Sequence, residues 1–199
     1  MKKLFRIILL LSVASKLFGD VVLYDEPMAT RSWNTTESHS IGGTIELDSY
    51  NNPYSGFECI EGTLVQYEGR FSVTLGAGWI DPTQFTALVY HIRQKNQGAG
   101  RMNVHAWGGA QSDIHLGVKA TVGLSKGQYG LVGTNITTYQ TITIPMSAFA
   151  FPAGTIVNRF MFAIVNNNSG FYIDDIVLVG SGAVQYPDPY PPATATPTP

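Results

Sequence analysis

Apolar residues in this chain recur at every second position in short runs, and Gly, Pro, Asn and Asp break the runs apart. The runs are "VVLY" (21–24), "GGTIELD" (42–48), "GFECIEG" (56–62), "RFSVTL" (70–75), "FTALVYHIR" (85–93), "RMNVHAW" (101–107), "HLGVKATV" (115–122), "YQTITIP" (139–145), "VNRFMFAIV" (157–165) and "FYIDDIVLV" (171–179). Each has the length and β-branched or aromatic content of a strand. No window holds an i, i+3, i+4, i+7 apolar stripe bounded by caps, so helices are not expected. About ten such strands in one domain predict an all-β fold, a two-sheet β-sandwich of the jelly-roll kind. There is no internal repeat.

Period two also sorts faces. Leu88, Tyr90 and Ile92 share one side of their run, with Val89, His91 and Arg93 on the other. Met102, Val104 and Ala106 face inward in the next run, which turns Asn103, His105 and Trp107 outward. If these two strands are neighbours, His91, Arg93, Asn103, His105 and Trp107 form one polar-aromatic patch. The alternation meets a difficulty at Asp174 and Asp175, adjacent carboxylates inside an apolar run. Strict alternation sends them to opposite faces, so one points inward. A buried carboxylate costs several kcal/mol unless hydrogen-bond donors or a cation compensate.

Composition changes the picture at both ends. Residues 1–19 read as a secretory signal peptide, with Lys2, Lys3 and Arg6 ahead of the apolar core Ile7–Ala14 and small residues behind it. The core is shorter than the roughly 20 apolar residues that span a bilayer. The expectation is an exported chain with no membrane partner. Residues 20–182 are the expected sandwich domain. Residues 183–199 form a Pro/Thr-rich linker of extended, polyproline-like character, either truncated before another domain or serving as a stalk. Without residues 1–19, eight basic residues stand against fourteen acidic ones, and the formal charge moves from −2 to −6. Such a surface does not hold a phosphate backbone, so nucleic acid is not an expected partner. Cys59 is the lone cysteine, which leaves stability to the core or to a core plus a metal. Three N-x-[ST] sequons, at Asn34, Asn135 and Asn167, are compatible with export.

Catalytic signatures are missing. The histidines at 39, 91, 105 and 115 lack metal-ligand spacing such as HExxH, and there is no G-x-S-x-G elbow or phosphate-cradling loop. Glycoside hydrolysis needs two carboxylates across a cleft; Glu37, Glu46, Glu58, Glu61 and Glu68 offer no pairing that sequence can fix. A non-enzyme is expected.

The ordered segments "VVLYDEP", "NNPYSGFECIEG", "FTALVYHIR", "TYQTITIPMSAF" and "NRFMFAIVNNNSGFYIDDIVLV" resemble the secreted carbohydrate-binding modules with a galactose-binding-like β-sandwich, over residues 21–180. The last segment is the most specific. The resemblance implies a non-catalytic module that binds a polysaccharide or oligosaccharide and tethers a linked glycoside hydrolase to it. It also implies a structural Ca²⁺, held by oxygens from separate segments. Asp175 is the first choice of ligand and Asp174 the second, with Asp25 or Glu26 and Asp48 as partners. The alternative is that one aspartate is exposed and the other accepts backbone amides. Trp107 and Trp33 are candidates to stack on sugar rings, and His91, Arg93, Asn103 and His105 to bond hydroxyls. Two further functions stay open, a structural or adhesion domain of an extracellular coat and a small jelly-roll glycosidase or lyase.

Overall fold

The protein is described by a computed structural model over residues 20–24, 37–39, 42–67, 69–75, 78–95, 101–108, 118–132, 137–166 and 169–185. The alternating runs become strands β1 (Val21–Tyr24), β3 (Thr44–Ser49), β4 (Cys59–Val65), β5 (Arg70–Thr74), β6 (Phe85–Gln94), β7 (Met102–Trp107), β8 (Val118–Leu124), β9 (Gln140–Pro145), β10 (Arg159–Ile164) and β11 (Ser169–Gly180). One strand is additional, β2 (Glu37–His39). Its sequence, Glu-Ser-His, carries no apolar period, and it is a strand because it pairs with Phe71 and its neighbours on β5.

Every strand pairing is antiparallel. Sheet I runs β3-β4-β11-β6-β9, with β1 also on β11, and sheet II runs β2-β5-β10-β7-β8. The two-sheet sandwich expected from the sequence is therefore present. The neighbour relation between β6 and β7 is not. Consecutive in sequence, they lie in different sheets, so His91 and Arg93 are separated from Asn103, His105 and Trp107 by the thickness of the sandwich.

The inward assignments hold, with Leu88, Tyr90, Ile92, Met102, Val104 and Ala106 all buried in the core. Aromatic rings join the sheets. Phe71 of β5 stacks on Phe162 of β10 with centroids 4.8 Å apart, and Tyr90 of β6 meets Phe162 edge-on at 5.2 Å. Phe171 of β11 reaches Phe71 across the sandwich at 6.2 Å. Gly62 stands opposite Phe171 in the β4–β11 ladder, and a Cβ there would overlap the Phe171 ring. Removing any of these rings would cost about 3–5 kcal/mol.

Sheet I is irregular at one point that matters. On β11, Asp174 pairs with His91, and the next matched pair is Val177 with Val89. Asp175 and Ile176 thus share the single residue Tyr90, which makes a β-bulge, with Asp175 at φ 47°. The extra residue resets the alternation. Ile173 and Ile176 both enter the core, while the carboxylates of Asp174 and Asp175 both reach the segment Tyr54–Ser55. The expectation of opposite faces is corrected: a bulge overrides period two.

Candidate functional site

The outer face of sheet I is occupied by the chain itself. The segment between β3 and β4 crosses it and is held by side chains from β6 and β11 and by Tyr139, just ahead of β9. Tyr54 and Ser55 donate their backbone N–H groups to Asp174 Oδ2 at 2.8 and 3.2 Å, and the Asp175 N–H donates to Asp174 Oδ1 at 2.8 Å. Asp174 is fully buried, and burial, aided by the neighbouring Asp175 charge, pushes its carboxyl up to about 6 against the pull of these donors. Three backbone amides are thus what compensates the buried carboxylate. Ser55 Oγ donates to Asp175 Oδ1 at 2.9 Å, and Asp175 Oδ2 lies 3.7 Å from His91 Nδ1. The Tyr54 ring stacks on His91 with centroids 3.7 Å apart and receives Tyr139 edge-on at 5.3 Å. Asn52 binds three partners: its carbonyl accepts from Tyr139 Oη at 2.6 Å, its Oδ1 from Arg93 at 3.3 Å, and its Nδ2 donates to Tyr172 Oη at 3.4 Å.

Beside this clamp, Lys95 pairs with Glu61 and donates to Thr63 Oγ1 at 2.7 Å, with its ammonium 5.2 Å from the Tyr172 ring centre. Burial alone would raise the Glu61 carboxyl, but hydrogen bonds from Lys95, Ser49 and Asn51 and the lysine's charge outweigh it, so the group sits below its ordinary range. These polar groups are largely spent on one another. At the loop's surface, Tyr50, Tyr54 and Phe57 are exposed.

The outer face of sheet II differs. Asn103, His105 and Trp107 alternate along β7, beside Arg159 and Met161 of β10, Ser72 of β5 and Thr121 of β8. The Arg159 guanidinium lies over the Trp107 ring, 4.8 Å from its centre. Trp107 is 3% exposed and Met161 4%, yet neither belongs to the core cluster. The indole Nε1–H of Trp107 is buried with no hydrogen-bond partner among the described residues. His105 Nδ1 and Thr121 Oγ1 are 2.8 Å apart, and burial pushes the His105 imidazole down, which keeps it neutral. Gly123, opposite Asn103, keeps that side chain uncrowded.

The candidate residues therefore divide. Asn103, His105 and Trp107 stand together on sheet II, while His91 and Arg93 on sheet I hold the loop. Trp33, Asp25 and Glu26 lie outside the described residues. Asp48 is exposed at the end of β3. Among the described residues no group of three or more His, Cys, Asp or Glu side chains could hold a metal ion. Sequence reading missed Arg159, although its outward position in "NRFMFAIV" follows from the same alternation that exposed His105. It also missed Asn52, Tyr54, Tyr139 and Tyr172, which no period announces because three of them lie outside the strands.

No protein-family model matches the chain, and no curated protein sequence matches it. Solved structures do. A family 30 carbohydrate-binding module from a cellulosomal cellulase of Clostridium thermocellum superposes with a TM-score of 0.56 at 17% identity, over 85% of this chain and 98% of that one. The family 11 module of Clostridium thermocellum, solved with a β-1,3-1,4-mixed-linked tetrasaccharide, gives a TM-score of 0.54 at 20% identity, over 82% and 97%. The fold is that of these β-sandwich modules.

Proposed function

We propose that the chain is a non-catalytic polysaccharide-binding module and that its binding face is the outer surface of sheet II. The carrying observation is the row Asn103, His105 and Trp107 along β7, with the Arg159 guanidinium over Trp107, polar groups of the kinds that bond sugar hydroxyls. The likeness of fold to modules that work on cellulosomal enzymes supports the same reading. Trp107, being buried, acts here by supporting Arg159 rather than as an open stacking platform. In this reading residues 183–199 tether the module to a catalytic domain after export. Tethering raises that enzyme's effective concentration at its substrate.

A structural Ca²⁺ belongs to the same proposal. β1 runs antiparallel to β11 and ends with Tyr24 opposite Ile176, so the chain leaves β1 beside the Asp174–Asp175 bulge. The Tyr24 hydroxyl donates to the Leu47 carbonyl at 3.0 Å, next to Asp48. Asp174 spends three of its four acceptor positions on N–H groups, which leaves one on Oδ1. Oxygens from three separate segments suit Ca²⁺. The ion would fasten β1 and β3 to the bulge.

Two measurements test these readings. Affinity electrophoresis of the chain on a polysaccharide panel should show retardation that His105→Ala and Trp107→Ala both weaken; retardation unchanged in both variants would remove sheet II as the site. A melting curve should fall in EDTA and recover with Ca²⁺, and an unchanged curve with no metal after dialysis would remove the ion.

A further inference from the structure

The outer face of sheet II is not evenly accessible. Ser72, Met161 and Trp107, along its middle and at one end, are buried. Its open margin lies along β8, the outermost described strand on that side, and along β7 next to it. There Lys119, Thr121 and Gly123 are exposed, and Asn103 and His105 are half-buried.

Gly123 stands out on that margin. A glycine inside a strand weakens it and calls for a reason: a bulge, a tight bend, or the close approach of another group. Elsewhere the reasons are visible. Gly62 makes room for the Phe171 ring, and Gly127 and Gly130 have φ of 84° and 97°. Gly123 shares none of them. It pairs with Asn103 in regular register, and the irregularity of the β7–β8 ladder lies instead between Ala106 and Trp107. A Cβ built on it would meet a single atom among the described residues, Asn103 Oδ1, at an ordinary contact distance of 3.4 Å. Neither the backbone nor the packing asks for glycine here.

Two polar groups stand beside the gap. The Asn103 amide has no hydrogen-bond partner among the described residues, and it carries a donor and an acceptor side by side. His105 is the next outward residue on β7. The 2.8 Å contact of its Nδ1 with Thr121 Oγ1 holds the ring and leaves Nε2 for a second bond.

We infer that Gly123 is a specificity-determining residue: a sugar ring is seated against the β8 backbone at Gly123, with its hydroxyls on the Asn103 amide and on His105 Nε2. The inference rests on the polysaccharide-binding reading above and puts the closest approach on the β7–β8 margin, away from buried Trp107. A side chain at position 123 would stand where the ring must lie.

The experiment is affinity electrophoresis of the full chain and its variants on the polysaccharide panel, read beside thermal melts. Gly123→Ala and Gly123→Val should melt at or above the wild-type temperature, because a strand gains when glycine is replaced without a clash. Affinity should nevertheless fall about tenfold for alanine, the scale of one lost hydrogen bond, and further for the larger valine. Asn103→Ala should lose about as much as Gly123→Ala. Thr143→Val, at an exposed position on the outer face of sheet I, is the control and should bind as wild type does. Undiminished binding by both Gly123 variants overturns the inference, and a weakened His105→Ala in the same assay then leaves the sheet II reading standing. Weaker binding by Gly123→Ala that comes with a lower melting temperature also overturns it, since the glycine is then structural. A wild-type chain that binds no polysaccharide overturns both.

Discussion

Tyr54 and Asp174 are 120 positions apart in sequence and joined by a 2.8 Å hydrogen bond from the tyrosine's N–H to the carboxylate. Around that bond the β3–β4 segment is laid on sheet I and the bulge of β11 is given its use. The bulge brings a second carboxylate, Asp175, to the same segment, where Ser55 binds both. The arrangement fastens the chain's own loop to one face of the sandwich.

Asp174→Ala should leave three backbone N–H groups without their acceptor. The expected loss is about 2–3 kcal/mol of unfolding free energy, read as a lower urea midpoint with both proteins in EDTA so that no cation contributes. Faster proteolysis between Tyr50 and Glu58 should accompany it. A variant with the wild-type midpoint would contradict the clamp.

Glu61 gives a pH dependence with a definite sign. Its folded-state pKa lies below the ordinary value, so the stability it contributes is present above about pH 4.5 and is lost as pH falls through the folded value. The gap in unfolding free energy between wild type and Glu61→Gln should be widest near neutrality and close in acid. A gap that stays constant from pH 7 to pH 3 would show that Lys95 does not depend on the charge of Glu61.

Gly62 leaves room that Phe171 fills, and Gly62→Ala should cost about 1–3 kcal/mol through displaced rings. The check is a thermal melt together with near-UV circular dichroism, since the Phe171–Phe71–Phe162 chain would repack. Unchanged melting would mean that the ring moves freely.

The strands were legible because one side of each is buried in a common core: "FTALVYHIR" and "RMNVHAW" announce their inward residues by alternation alone. Which strand lies beside which is set by pairings over long separations, and so the sequence suggested a patch of five residues that the sandwich divides between two faces. The bulge was hidden for a related reason. Its extra residue at Asp175 is defined only against Tyr90 on a partner strand, and no local signal marks it. Tyr54, Asn52 and Tyr139 were not legible as a group because their contacts arise from a loop crossing a sheet. Outward Arg159 was within reach of the same periodicity that singled out His105, and its importance depends on Trp107 becoming its neighbour.

The central claim is that a polysaccharide binds the outer face of sheet II. Mapping amide chemical-shift changes in the ¹⁵N-labelled chain during titration with the tightest-binding glycan from the panel tests it most directly. The account predicts that the changes concentrate on Asn103, His105, Thr121 and Arg159, with the Trp107 indole N–H signal among the most displaced. Changes centred instead on Tyr50, Tyr54 and Phe57, with sheet II silent, would contradict it.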